Sequence, residues 1–206
     1  TDKSSTPPNT TIPQYQGNDI YKDLKDKHLL ICPEQGVGDE VMFASVLPEL
    51  ACLVTQNPKT RITLACDKRL VELFSRSFNF LTVIPKDQDH CYKGLESDVD
   101  YWLFIGSLPK LFRHTIEDFN NHQPYLAIEK NLAQTWKQRF NNLEHNFNVG
   151  ISWRGGLSER KKADRSLSLE ELLPMLTHVS QSANIINLQY GDHKQEINDF
   201  SAQTGI

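Results

Sequence analysis

Two short segments hold the residue types that could do chemistry, one acidic and one basic. The first is Glu-Gln-Gly-Val-Gly-Asp at residues 34–39, and the second is Arg-Gly-Gly-Leu-Ser-Glu-Arg-Lys-Lys-Ala-Asp-Arg-Ser at residues 154–166. A carboxylate in a turn can accept a proton from a hydroxyl nucleophile, whereas glycines and cations suit a diphosphate. The sequence therefore predicts an acid–base site in the first segment and an anion site in the second.

In the acidic segment Asp39 is the candidate base, and Glu34 is a second acid nearby. A dinucleotide fingerprint needs a third glycine three residues after Gly38, but position 41 is Val. Asp39 also places a negative charge where a phosphate would lie. These features disfavour a Rossmann cofactor site and a nicotinamide-dependent oxidoreductase. The alternative is that Asp39 serves only as the N-cap of the next helix.

The basic segment has five basic residues against two acids. Cations and glycine amides at the end of a strand can bind a diphosphate through charge-assisted hydrogen bonds. The spacing GxxxxGK[ST] does not occur, so a Walker A loop is not indicated. The alternative is a solvated loop that binds nothing.

The elements around both segments alternate between strands and helices, which predicts an α/β fold with a Rossmann-like parallel sheet. Gly36 and Gly38 allow the chain to reverse after the first strand, and Asp39 is expected to begin a helix whose apolar surface runs from residue 41 to residue 50. The predicted strands are Leu29–Cys32, Arg61–Cys66, Phe80–Ile84, Asp100–Ile105, Phe147–Trp153 and Asn184–Leu188, with residues 125–128 as an edge strand or a last extended piece. Ser107 is predicted to cap a short helix that ends at Arg113, and Ser168 with Glu171 is predicted to form the capping box of the helix through Leu176.

Three segments are expected along the chain. Residues 1–19 are rich in Thr, Ser, Pro and Asn and are predicted to be a flexible tail or linker. Residues 20–145 form a first Rossmann-like domain. Residues 146–206 begin a second one with another strand and glycine turn, which we expect to be incomplete because one βαβ unit buries too little surface.

Composition limits the class of protein. A formal net charge of -4 and a pI near 6.0 give no global basic field, so a nucleic-acid partner is not indicated. No apolar run of about 18 residues and no signal-peptide pattern is present, which favours a cytoplasmic protein. Four cysteines without CxxC spacing do not indicate a zinc site, and His90 with Cys91 is too small a set for a metal site.

Several segments in order resemble a known family. They are Tyr-Gln-Gly-Asn-Asp-Ile at 15–20, the strand and turn up to residue 50, Val-Gly-Ile-Ser-Trp-Arg-Gly-Gly at 149–156, Arg-Ser-Leu-Ser-Leu-Glu-Glu-Leu at 165–172 and Asn-Leu-Gln-Tyr-Gly at 187–191. The set is similar to bacterial glycosyltransferases linked to tetratricopeptide repeats. It is also similar to lipopolysaccharide heptosyltransferases of glycosyltransferase family 9 and, more distantly, to O-linked N-acetylglucosamine transferase.

This resemblance implies a glycosyltransferase-B fold with two Rossmann-like domains, in which the first binds the acceptor and the second binds a nucleotide-sugar, with neither a metal nor a further cofactor. It implies Asp39 as the catalytic residue and the basic residues after Trp153 as phosphate ligands. The candidate site residues are therefore Asp39 for catalysis, Glu34, Gln35, Gly36 and Gly38 for substrate binding, and Arg154, Lys162, Arg165, Ser166 and Gln189 for the nucleotide and its phosphates.

The resulting hypothesis is transfer of a sugar to a hydroxyl of a glycan, lipid-linked or protein acceptor, with inversion favoured over retention. Upstream repeats and a later Asp-Thr/Ser-x-x-x-His segment of the relatives do not occur in this sequence, so this chain alone is expected to encode only part of the nucleotide site. The rival hypothesis is a non-catalytic module of the same fold that binds a glycan or a protein.

Overall fold

The chain forms two compact units, Thr1–Ile128 and Glu129–Ile206. In this computed structural model, residues 8, 10–86, 92, 94–95, 97–119, 123–155 and 166–206 are described. The boundary between the units precedes the 145/146 boundary expected from the sequence. The helix Lys130–Asn141, which the sequence placed in the first domain, belongs to the second unit instead.

The first unit contains a parallel sheet of four strands in the order β3-β2-β1-β4. Its strands are β1 (His28–Cys32), β2 (Arg61–Cys66), β3 (Thr82–Pro85) and β4 (Tyr101–Phe104). Its helices are α1 (Ile20–Asp23), α2 (Val37–Ala44), α3 (Ala51–Gln56), α4 (Val71–Ser77) and α5 (Pro109–Phe112), with 3₁₀ turns at Leu47–Leu50, Ile105–Ser107 and Ile116–Phe119. This confirms the α/β class and the parallel sheet. Because the strands are parallel, all four carboxyl ends lie at one edge.

Strand β1 is buried along its whole length because it lies between two apolar layers. Leu29 and Ile31 belong to the main core with α2, α3 and α4, whereas Leu30 and Cys32 belong to a second core that includes Trp102. The continuous apolar run of β1 is typical of a strand that is covered on both faces. Burial raises the pKa of the Cys32 thiol to about 12, as expected for a cysteine that only packs.

Two helix predictions are wrong for reasons of local geometry. The helix predicted from Asp39 to Leu50 is interrupted, because α2 ends at Ala44 and a 3₁₀ turn with Pro48 near its start begins at Leu47. Proline has no N–H to donate, so it favours a new first turn over helix continuation. Ser107, predicted to cap α5, lies instead in a 3₁₀ turn, and Pro109 is the first residue of α5.

Part of the predicted tail packs on the sheet. Ile12 and Tyr15 are buried, and the backbone on either side of Gln14 pairs with Trp102 of β4 through Tyr15 N–H (2.8 Å) and Pro13 C=O (3.1 Å). Two large apolar side chains in a polar stretch are enough to anchor it. The residues from 125 to 128, which were expected to be an edge strand or a last extended piece, lie outside both sheets.

The second unit has a parallel pair of strands, β5 (Asn148–Ile151) and β6 (Asn184–Asn187). Its helices are α6 (Lys130–Asn141), α7 (Leu169–Val179) and α8 (Lys194–Thr204). The capping box predicted between Ser168 and Glu171 is present at the start of α7. Trp153, Leu169, Leu176 and Phe200 form its small core, next to an apolar cavity of about 150 Å³.

Candidate functional site

The turn between β1 and α2 brings together the five residues that the sequence assigned to catalysis and substrate binding. The left-handed residue of this turn is Gln35, with φ of 50°, whereas Gly36 is extended with φ of -103°. The sequence had credited the reversal to the glycines, but neither Gly36 nor Gly38 has a positive φ. A non-glycine residue in this conformation is uncommon and is typical of turns with a functional constraint.

Asp39 is the third residue of α2 and not its N-cap, which is Gly36. Its Oδ2 accepts a hydrogen bond from the Gly36 N–H at 3.0 Å. This is the carboxylate half of a capping box, which needs no side chain at the N-cap itself. Among the described residues Oδ1 has no partner, and Asp39 is partly exposed. One oxygen of this carboxylate therefore holds the turn, while the other accepts no hydrogen bond from the described residues.

The surface just before Asp39 is open at one position. A Cβ added at Gly38 would meet no atom within 4 Å, so this glycine leaves an open surface at the first turn of α2. Gln35, which is exposed, lies four residues before Asp39. A hydroxyl group brought to this surface could donate to Asp39, which is the geometry that a general base requires.

Glu34 has a different role from that of a second free acid. Its Oε2 accepts a hydrogen bond from the N–H of Gly106 at 2.9 Å, just after β4. A Cβ at position 106 would overlap this carboxylate oxygen, so a side chain there would displace the Glu34 carboxylate from the N–H that it accepts. Glu34 thus connects the end of β1 to the end of β4.

Glu40 was not predicted, yet it is the most buried charged group of the turn, with 1% of its surface exposed. Its Oε2 accepts from the N–H of Asp67 at 2.7 Å, and its Oε1 accepts from Lys86 Nζ at 3.2 Å. These partners follow β2 and β3. The Arg69 guanidinium and N–H hold the pKa of the Asp67 carboxyl well below its usual range. The signal that could have found Glu40 is its helical spacing of four residues from Ala44, the other buried residue of α2.

In the second unit, one side-chain amide oxygen accepts several hydrogen bonds from the residues at the end of β5. Gln189, only 8% exposed, uses Oε1 to accept from the Trp153 N–H at 3.0 Å, the Arg154 N–H at 2.8 Å and the Ser152 O–H at 3.1 Å. Two amides that could have bound a phosphate are therefore already occupied. Gln189 positions the turn rather than offering its own oxygen to a ligand.

A carboxylate of α8 accepts hydrogen bonds from two side chains of the same turn. Glu196 Oε1 accepts from Arg154 Nη2 at 2.5 Å and from the Trp153 indole N–H at 3.3 Å, and His193 Nδ1 lies 3.3 Å from Oε2. Burial opposes ionisation of Glu196, but the hydrogen bond and charge of Arg154 outweigh it and lower the pKa of this carboxyl. Two donors, Arg154 and the Trp153 indole, therefore converge on one anionic group that also lies near the His193 ring.

The remaining predicted phosphate residues differ in how much the structure describes of them. Ser166 Oγ accepts from the Gly155 N–H at 3.2 Å, so it lies beside the turn after β5. Lys162 and Arg165 lie outside the described residues, as do His90 and Cys91. In the described part of the chain, no group of three or more His, Cys, Asp or Glu residues is arranged to hold a metal ion.

One curated relative is informative about the extent of the match. Protein FlbA of Caulobacter vibrioides is 31% identical to this chain over 195 residues, which are 90% of the chain and 32% of that protein. The chain therefore spans about a third of the relative's length. No protein-family model matches the chain, and no solved structure matches it.

The predicted residues therefore fall into two separate groups. Glu34, Gln35, Gly36, Gly38 and Asp39 share the turn after β1, whereas Arg154, Ser166 and Gln189 surround the ends of β5 and β6. Sequence reasoning missed Glu40 and Glu196, the carboxylates that pair with cations in each group. Over the described residues no helix combines the length and the apolarity needed to cross a membrane.

Proposed function

We propose that this chain is part of a cytoplasmic glycosyltransferase of the B-type fold, which transfers a sugar from a nucleotide-sugar to a hydroxyl acceptor without a metal ion. The first unit binds the acceptor, and the second unit binds the donor. The ordered similarity to tetratricopeptide-repeat-linked glycosyltransferases and heptosyltransferases supports this proposal. The parallel sheet of the first unit, with its candidate residues at the carboxyl edge, agrees with such a fold.

The geometry of Asp39 is the observation that carries the proposal. Its carboxylate is fixed through Oδ2 by Gly36, its Oδ1 has no partner among the described residues, and the preceding residue, Gly38, adds no side chain at the first turn of α2. In the proposed step, Asp39 takes the proton of the acceptor hydroxyl as that oxygen forms a bond to the anomeric carbon. The bond from this carbon to the diphosphate breaks, and its electron pair leaves with the nucleoside diphosphate. Attack from the opposite face gives inversion.

On the donor side, Arg154 supplies positive charge to the leaving diphosphate. Its side chain is 45% exposed and makes its ion pair at the rim of the turn, so a diphosphate can reach it. We propose that Lys162 and Arg165 add charge from the same basic segment. Ser166 would donate its hydroxyl to a phosphate oxygen, and Gln189 would keep the turn in place.

Replacement of Asp39 by Asn in the complete protein tests the assignment. Asparagine can still accept the Gly36 N–H but is not a base, so we expect the rate of sugar transfer to fall by a factor of about 10²–10⁴. Affinity for nucleoside diphosphates should stay within about twofold, because the site for them is in the other unit. The measurement is release of nucleoside diphosphate from a panel of nucleotide-sugars with glycan and peptide acceptors.

Asp19→Asn is the matched control, because Asp19 also accepts a backbone N–H at the start of a helix, that of Lys22 at 3.1 Å. This variant should transfer sugar at the rate of the unaltered protein. Full transfer activity in Asp39→Asn would contradict the role of Asp39 as the base.

A non-catalytic module that binds a glycan or a protein is the second candidate. The ion pair between Arg154 and Glu196 favours it, because this pair already neutralises the cation that a diphosphate would need. For such a module, neither the complete protein nor its Glu196→Gln variant would bind any nucleoside diphosphate. For the transferase, Glu196→Gln should bind at least as tightly as the unaltered protein.

A further inference from the structure

Glu40 is a buried carboxylate that the proposed chemistry does not use. A charge in an apolar interior is unfavourable unless it is paired and hydrogen-bonded, and an apolar residue of similar size often gives equal or higher stability. Apolar residues in place of the whole Glu40–Lys86 pair would therefore serve stability as well, whereas an apolar residue at position 40 alone would take the acceptor from Lys86 Nζ and from the Asp67 N–H. The presence of a carboxylate needs another explanation, and its contacts supply one.

The two oxygens of Glu40 reach two different strand ends. Oε2 accepts from the N–H of Asp67, the residue after β2, and Oε1 accepts from Nζ of Lys86, the residue after β3. Lys86 is itself tied to β2, because its N–H donates to the carbonyl of Cys66 at 2.6 Å. Since Glu40 lies in the first turn of α2, these bonds hold the helix start against the strands on one side of β1.

Glu34 makes the corresponding connection on the other side. It precedes α2 and accepts from the N–H of Gly106, which follows β4. The sheet order β3-β2-β1-β4 places Lys86, Asp67 and Gly106 after the three strands that accompany β1. The turn that bears Asp39 is therefore fixed from both sides by carboxylates that belong to the turn and helix themselves.

We infer that Glu40 is a positioning residue for Asp39, with Glu34 as its counterpart across β1. This inference rests on the proposed function of Asp39 as the base. Glu40 and Asp39 share a peptide bond, so a displacement of the buried carboxylate moves the Asp39 backbone. Misplacement of a reacting group by about 1 Å can lower a rate by about a hundredfold. A carboxylate that accepts two donors from two strands limits such motion.

The test is Glu40→Gln in the complete protein. The amide has nearly the same shape, but it removes the charge that pairs with Lys86 and places N–H groups near it. We expect hydrogen exchange of the Gly36 amide, which Asp39 holds, to become about tenfold faster or more. The kcat for sugar transfer should fall about ten- to a hundredfold, while the KM for the donor stays within about twofold.

Glu72→Gln is the matched control, because Glu72 lies in the first turn of α4 and is exposed. It should leave both readouts unchanged. If Glu40→Gln loses exchange protection throughout β1 and β2, the double variant Glu40→Gln with Lys86→Gln replaces it. That variant leaves no charge unpaired, and the same faster exchange at Gly36 is expected.

Unchanged Gly36 exchange, or an unchanged kcat, overturns the positioning role of Glu40. A fall in kcat no larger than the fraction of folded protein lost also overturns it, because loss of folded enzyme lowers the apparent kcat and leaves KM unchanged. If the unaltered protein transfers no sugar from any donor, the proposed function fails. The exchange at Gly36 then still decides whether Glu40 holds the turn.

Discussion

The two strand–turn–helix segments of this chain satisfy their polar groups in opposite ways. After β1, carboxylates on the turn and helix accept N–H groups from neighbouring strand ends, as Glu34 does from Gly106 and Glu40 from Asp67. After β5, the turn's own N–H groups donate to the uncharged amide of Gln189. The carboxylates of the acidic turn thus bind N–H groups at the ends of other strands, whereas the N–H groups of the basic turn bind one side-chain oxygen.

The ion pairs beside the two turns also differ in how deeply they are buried. In the ion pair beside the acidic turn, the side chains of Glu40 and Lys86 are 1% and 30% exposed, whereas those of Glu196 and Arg154 beside the basic turn are 27% and 45% exposed. An exposed pair contributes little to stability and exchanges partners readily, whereas breaking a buried pair is strongly destabilising. The difference suggests that the first turn holds a fixed geometry for a base, while the second can exchange its anionic partner.

The largest effect is expected from Gln189→Leu in the second unit. Loss of Oε1 leaves the buried Trp153 N–H without its acceptor and removes two further bonds at the end of β5. We expect the free energy of opening of β5 and β6 to fall by about 3 kcal/mol. Amide hydrogen exchange of the two strands measures this quantity.

Gln203→Leu on the exposed surface of α8 is the control for that substitution and should change the opening free energy little. If Gln189→Leu also leaves it unchanged, the single amide does not organise the basic turn. The second turn would then not differ from the first in the way proposed.

A smaller loss is expected from Gly106→Ala in the first unit. The new Cβ would overlap Glu34 Oε2, so the carboxylate must leave the N–H that it accepts. We expect a loss of about 2 kcal/mol in the free energy of unfolding, as for other overpacked positions. Urea denaturation followed by the exchange of β1 and β4 amides gives the measurement.

Gly38→Ala is the matched control, since a Cβ there meets nothing within 4 Å. In a helical turn this change should stabilise the protein slightly, by about 0.5–1 kcal/mol. Equal destabilisation by both substitutions would show that the position of Glu34 does not explain the glycine at 106.

The elements could be predicted from the sequence because their patterns are local. The apolar run of β1, the β-branched residues of β2 and the capping box at Ser168 each identify their element without knowledge of the rest. The first residues of the helices were harder to predict from the sequence. Gly36 rather than Asp39 is the N-cap of α2, because the Asp39 carboxylate reaches back to it.

The partners of the candidate residues could not be predicted, because they come from distant parts of the sequence. Glu40 meets Lys86 from 46 residues away, and Arg154 meets Glu196 from 42 residues away. Only the folded sheet brings such pairs together. The helical spacing between Glu40 and Ala44 could have indicated that Glu40 is buried. Nothing in the sequence identified Lys86 as its partner.

The central claim is that the turn after β1 supplies the base and the turn after β5 binds the diphosphate. Calorimetric titration of the complete protein with UDP, GDP, ADP and CDP tests it most directly. For the nucleotide that binds, Arg154→Ala should weaken the Kd about tenfold or more, because a charge-assisted contact to the diphosphate is lost. Asp39→Asn should change the Kd by less than about twofold. Equal weakening by both variants, or none by Arg154→Ala, would contradict the claim.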